Sequence, residues 1–184
     1  TVTGRNGVIQ IDPLLAPLYK GTLSAKAAAE VRQDAPRSTL SLQVKNVDAG
    51  PLLQDFLKKD FLEGAANVEA NISAVGDAPE RIKRSLNGKG QAVFSNGAIT
   101  GIDLAGMVRN ATAAFGQTQQ GAEKPRTDFS ELNAPFTITE GVVNTPGTSL
   151  ASPLLRVLAT GKANLVDESL DLRVGDHAAP ARLP

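Results

Sequence analysis

The residues that carry chemistry in this chain are few and far apart. His177 is the sole histidine, set in the Pro/Ala-rich stretch "DHAAPARLP" with no second histidine to share a metal or relay a proton. Asp167, Glu168 and Asp171 straddle a short turn and offer hard oxygen ligands, yet no D-x-[DN]-x-[DN]-G loop holds them for calcium. Asp128 and Glu131 are spaced as a carboxylate pair for acid–base work; the same spacing in "TDFSEL" (127–132) is that of a capping box and predicts one capped helical turn. Ser130 and Ser152 lack the G-x-S-x-G elbow of a nucleophilic serine. The chain has no cysteine, which removes disulfides, thiolate nucleophiles and Cys-based zinc sites. No catalytic residue, metal ligand or cofactor site is assigned, and the expectation is a protein that is not an enzyme.

"GKGQAVFSNGAITGID" (88–103) is the one stretch resembling a phosphate loop. A nucleotide site needs a strand, a glycine loop and a helix whose N-terminus receives the phosphate. Neither G-x-G-x-x-G nor G-x-x-x-x-G-K-[ST] is present. Gly88 and Gly90 instead fall on alternate positions of a strand-like run from Leu86 to Phe94, where glycines mark a bend. Asn96-Gly97 predicts a tight type I′ turn followed by a short return strand.

The elements that must position any site are set by alternation. Leu40, Leu42 and Val44 oppose Ser41, Gln43 and Lys45; Ala66, Val68, Ala70 and Ile72 oppose Asn67, Glu69, Asn71 and Ser73. The same pattern runs through 22–32, 156–165 and 170–174. Successive strand side chains point to opposite faces, so each run has one apolar and one wet face. This predicts a mainly β fold: a large curved antiparallel sheet of roughly nine strands forming an apolar groove, with two or three short covering helices. "EGVVN" and "VDES" (166–169) read as hairpin links. Helical spacing of Leu52, Leu53, Phe56 and Leu57 predicts a helix in 48–61, packed on its own sheet. A second helix is predicted over 103–116, followed by a polar loop over 116–126. Residues 1–175 read as a single domain and 176–184 as a flexible tail.

Composition excludes further classes. There are 19 Lys plus Arg and 19 Asp plus Glu, and aromatic residues make up 4%. Neither the charge nor the stacking surface for nucleic acid is present. No apolar run approaches the ~18 residues of a membrane span, and the chain starts at Thr rather than Met, as a trimmed portion of something longer would. Lys58-Lys59 and "ERIKRS" (80–85) are small basic clusters that could touch anionic lipid headgroups, but clusters this short read as solvated faces.

"LNGKGQAVFSNGAITGIDLAGMV", "RTDFSELNAPFTITEGVVNT" and "LASPLLRVLATGKANLVDESLDLRV" follow one another in the order found in the C-terminal region of the AsmA family of bacterial envelope proteins. "GVIQIDPLLAPLYKGTLSAKAAAEV" and "LQVKNVDAGPLLQDF" fit the same family more loosely, so the resemblance covers nearly the whole chain and is strongest over 86–174. It implies a periplasmic protein tethered to the inner membrane of a Gram-negative bacterium. It also implies a β-rich groove serving outer-membrane biogenesis and phospholipid movement between membranes. The family's N-terminal membrane anchor has no counterpart here and is expected to lie outside this sequence. The expected partners are phospholipid, the inner membrane through that anchor, and other envelope proteins, with no nucleic acid. Leu40, Leu42, Val44, Val68, Ile72, Val157 and Leu165 are the candidate lipid-groove residues. The alternative is an assembly module that helps outer-membrane proteins fold or insert by offering a strand edge.

Overall fold

The computed structural model describes residues 2–31, 35–101, 125–153 and 156–175. The predicted helix over 103–116, most of the 116–126 loop, the 176–184 tail and His177 lie outside them.

The described strands form one antiparallel meander in which every strand pairs with its neighbours in sequence. These are β1 (Val2–Arg5), β2 (Val8–Leu18), β3 (Gly21–Glu30), β4 (Arg37–Asp48), β5 (Leu62–Val75), β6 (Asn87–Thr100), β7 (Arg126–Thr139), β8 (Val142–Ala151), β9 (Arg156–Asn164) and β10 (Ser169–Gly175). Ten strands thus stand where the sequence predicts roughly nine. Helix α1 (Ala49–Leu57) joins β4 to β5, and α2 (Pro79–Ser85) joins β5 to β6. The α1 helix stops at Lys58, in the left-handed conformation, short of the predicted 61. The α2 helix covers the "ERIKRS" cluster, which is too short and too polar to show an apolar period.

Register makes the sheet two-faced. One pairing path crosses all ten strands through Val2, Ile11, Ala27, Leu40, Ile72, Gly88, Ile138, Val143, Ala163 and Leu170. The adjacent path runs through Lys26, Ser41, Asn71, Lys89, Thr137, Asn144, Lys162 and Asp171. The first contains no charged side chain; the second is polar throughout. On the wet face, Ser41 Oγ donates to Asn71 Oδ1 at 2.8 Å, Gln43 Nε2 to Glu69 Oε1 at 2.9 Å, and Gln91 Nε2 to Asn133 Oδ1 at 3.0 Å. These cross-strand bonds tie β4 to β5 and β6 to β7 on the face that faces water.

Two predicted local structures are replaced by strand. Asn96-Gly97 is not a hairpin turn: β6 runs on to Thr100, and the pair forms a bulge against β5, with Asn96 and Gly97 between Ser95 and Ala98 facing Gly64 alone between Ala65 and Glu63. Asn96 takes the left-handed conformation (φ 49°) that both a bulge and a type I′ turn accept. "TDFSEL" is not a helical turn but the start of β7, with Thr127 and Phe129 buried and Asp128 and Ser130 exposed. That period of two belongs to a strand.

The core sits at the α1 end of the sheet. Leu62, Phe129 and Leu150 form it, with Leu53 of α1, Phe94, Ile99, Leu132 and Val157 packed around. Leu53 is the part of the predicted helical stripe that packs on the sheet. Phe56 of the same stripe is 72% exposed, so the predicted packing is only partial. Among the described residues no helix is long and apolar enough to cross a membrane.

Candidate functional site

Small residues dominate the apolar face between its large ones: Ala25, Ala27, Ala70, Gly88, Gly90 and Ala92 occupy paired positions on β3, β5 and β6. The short alanines leave room and make the face a trough rather than a filled core, whereas the space at Gly88 and Gly90 is taken by neighbouring backbone and, at Gly90, by the Phe136 ring. An apolar hollow on this face, about 320 Å³, lies toward the α2 end and the N-terminal strands. Ile9, Ile11, Ala27, Leu40, Ile72 and Leu86 contribute to its lining. Ile9 and Ile11 remain 44% and 40% exposed there. Neither helix contributes a residue to that lining.

The seven candidate groove residues divide. Leu40 pairs with Ile72 and both line the hollow. Leu42 pairs with Ala70, and Val44 with Val68, on the same face one and two steps farther along. Val44 is buried, and Val157 packs against the Leu62–Phe129–Leu150 cluster, so these two belong to the packed end. Leu165 lies beyond the last residue of β9, in the β9–β10 turn, where its amide donates to Gly141 O at 3.0 Å. Alternation places it on the apolar face by parity, but the chain has already left the strand. Ile9 and Ile11 escape the sequence reading. Their strand carries Pro13 and Pro17 and a register shift between Ile11 and Leu14 that breaks simple alternation.

The polar candidates do not converge. Asp167 accepts from the Ser169 amide at 3.0 Å, Ser169 Oγ at 2.6 Å and Asn164 Nδ2 at 2.8 Å. The Ser169 bonds, above all the hydroxyl's, hold its carboxyl below the ordinary value. Its oxygens are therefore occupied in shaping the turn. Glu168 faces Lys83 at 3.9 Å and Asp171 faces Arg173 at 3.3 Å. Asp128 pairs with Arg126 at 2.9 Å, and Arg126 also reaches Glu63 at 3.1 Å. Those carboxylates raise the Arg126 pKa, Asp128 most. Ser130 Oγ donates to Ala151 O at 3.0 Å. Among the described residues no group of three or more His, Asp or Glu gathers where it could hold a metal ion.

The α1 end is tied down by the β2–β3 turn. Tyr19 and Lys20 adopt φ of 42° and 68° without a glycine between them. The Tyr19 hydroxyl donates to Asp55, Lys20 Nζ reaches Asp48 Oδ2 at 2.8 Å, and the Asp48 amide donates to Tyr19 O at 2.8 Å. The bond to Asp55 is the main cause that raises the Tyr19 pKa, and the bond to Asp48 raises that of Lys20. The sequence reading passes over this latch because the two central residues of the turn, Tyr19 and Lys20, are neither Gly nor Asn.

A family model described as the AsmA family matches residues 2–148, which takes in the N-terminal strands as well as the central ones. The protein named Protein AsmA from Escherichia coli (strain K12) is 22% identical over 172 residues, 92% of this chain. The chain spans 28% of that relative's length. No solved structure matches it.

Proposed function

The chain belongs to the AsmA family, and from that premise we propose that it is a non-enzymatic envelope module whose trough shields phospholipid acyl chains during their passage between membranes. The setting of that reading is the periplasm, with the protein tethered to the inner membrane and serving outer-membrane biogenesis. The observation that carries it is the unbroken apolar pairing path across ten strands, with Ile9 and Ile11 left 44% and 40% exposed in the hollow. Apolar surface held open to water costs free energy, and a methylene laid on it gains about 0.8 kcal/mol. Such contact is non-directional, so acyl chains need no polar recognition motif. The Ala-rich lining suits a chain that slides.

Photocrosslinking amino acids at Leu40 and Ile72 should capture phospholipid in cells, and one at Lys45, on the wet face, should not. Equal capture at all three positions would sink the reading. The rival, an assembly module, draws on the outer edges of β1 and β10, which have no strand beyond them among the described residues. Native mass spectrometry separates the two: retained phospholipid supports the trough, and bound peptide on a lipid-free protein supports the edge.

A further inference from the structure

The connection from α1 into β5 carries aromatic surface that the fold does not use. Phe56, in the last turn of α1, is 72% exposed, and Phe61, one residue before β5, is 43% exposed. Between them Lys58 and Lys59 are both exposed. This segment is not loosely hung. The Lys58 amide donates to Gln54 O at 3.1 Å and closes the helix; Thr100 Oγ1 donates to Asp60 O, and the Thr100 amide to Phe61 O at 3.0 Å. Two of the nearby acids are drawn back toward the sheet, Asp48 by Lys20 and Asp55 by Tyr19. The exposed surface of this segment thus carries Phe56, Lys58, Lys59, Asp60 and Phe61, two lysines against one carboxylate, at the end of the trough remote from the hollow.

We propose that residues 56–61 form a foot that docks the α1 end of the trough on the surface of an anionic phospholipid bilayer. The rings would enter the boundary between headgroups and acyl chains while the lysines meet the negative surface. With Lys58 and Lys59 against the single carboxylate of Asp60 the segment keeps a net positive charge, which complements an anionic bilayer and not a second copy carrying the same net charge. The inference goes beyond the trough reading and does not need it: a foot can rest on a membrane whatever the trough carries.

The chain has no tryptophan, so Phe56→Trp introduces a single reporter at an exposed position. Its emission should shift to the blue on vesicles of phosphatidylcholine with phosphatidylglycerol, and much less on phosphatidylcholine alone. Reversing both lysines (Lys58→Glu, Lys59→Glu) should weaken partitioning by on the order of tenfold or more, at roughly fivefold per lysine near the surface. Phe61→Ala should weaken it as well. Ile11→Asp, which spoils the hollow, should leave it unchanged. No blue shift on either vesicle overturns the proposal, as does a shift indifferent to both the lysine and the Phe61 variants. A shift that grows with protein concentration in the absence of lipid assigns the patch to self-association instead. Loss of partitioning in Ile11→Asp assigns the membrane contact to the trough. Failure here leaves phospholipid retention by the trough standing, because that is read by mass spectrometry on protein without vesicles.

Discussion

At the residue scale, the chemistry-bearing side chains build turns and joints. Asp167 accepts three hydrogen bonds around the β9–β10 turn, and its carboxyl titrates below its ordinary value of 3.8. A depressed carboxylate contributes stability that is fully present above the unfolded value and is lost as pH falls through the folded one. NMR titration should therefore place the Asp167 midpoint below 3.8. Amide protection in β10 should weaken under acid, and Asp167→Ala should show the weakened state already at neutral pH. A midpoint at or above the ordinary value would remove this role. The glycines of β6 are fixed by close approach. A Cβ at Gly97 would lie 2.0 Å from Glu63 O and 2.7 Å from Phe129 Cζ; one at Gly90 would lie 2.4 Å from Glu69 O and 2.4 Å from Phe136 Cζ. Those rings occupy the space a side chain would need, so Gly97→Ala and Gly90→Ala should each destabilise by about 1–3 kcal/mol, measured by denaturant unfolding. A neutral Gly97→Ala would mean that the bulge opens freely.

At the element scale, α1 is held by two independent ties, Leu53 in the Leu62–Phe129–Leu150 cluster and the Tyr19-Lys20 turn. Tyr19→Phe removes one hydrogen bond and leaves the ring. It should speed hydrogen exchange in α1 and at the Asp48 amide while leaving β6–β8 protected; uniform acceleration across the sheet would show that the latch is no local device. The strands around this helix show which signals the sequence carries. β4 and β5 are legible because each has one wet and one dry face in unbroken register over Leu40–Val44 and Val68–Ile72. Hence Leu40, Leu42, Val68 and Ile72 fall together on the trough face. Legibility fails where a tertiary contact decides between local options. Asn96-Gly97 suits an I′ turn and a bulge equally, and the β7 backbone running alongside, Phe129 opposite Gly97, selects the bulge. Capping spacing in "TDFSEL" is real, but burial of Thr127 and Phe129 outweighs it. Ile9 and Ile11 sit in a proline-bearing strand whose register shift conceals their face. The α2 helix is seven residues with no buried side chain, so no apolar period announces it.

At the scale of the whole molecule, the two ends of the sheet do different jobs. The α1 end is filled: large side chains from α1, β5, β6, β7, β8 and β9 meet in one cluster. The other end, where β2, β3, β4 and β5 converge on Leu86, keeps an apolar hollow. Filling needs large residues on every facing strand, and at the hollow end Ala27, Ala29 and Ala74 stand between Ile9, Ile11, Leu40, Ile72 and Leu86 where further Leu or Phe would close the space. The packed end therefore supplies stability, and the hollow end keeps apolar area available to a ligand. This division predicts opposite responses to the same kind of substitution. Leu150→Ala, in the packed cluster, should lower stability by about 2–5 kcal/mol and leave any lipid retained by the surviving folded protein unchanged. Ala27→Phe, in the hollow, should leave the unfolding midpoint near that of the parent while displacing phospholipid in native mass spectrometry. Crosslinkers add the spatial test, with capture expected at Ile11 as at Leu40 and absent at Leu165 in the turn. Capture at Leu165 equal to that at Ile11 would mean that lipid adheres to any apolar point on the molecule, and the division between a packed and an open end would fall.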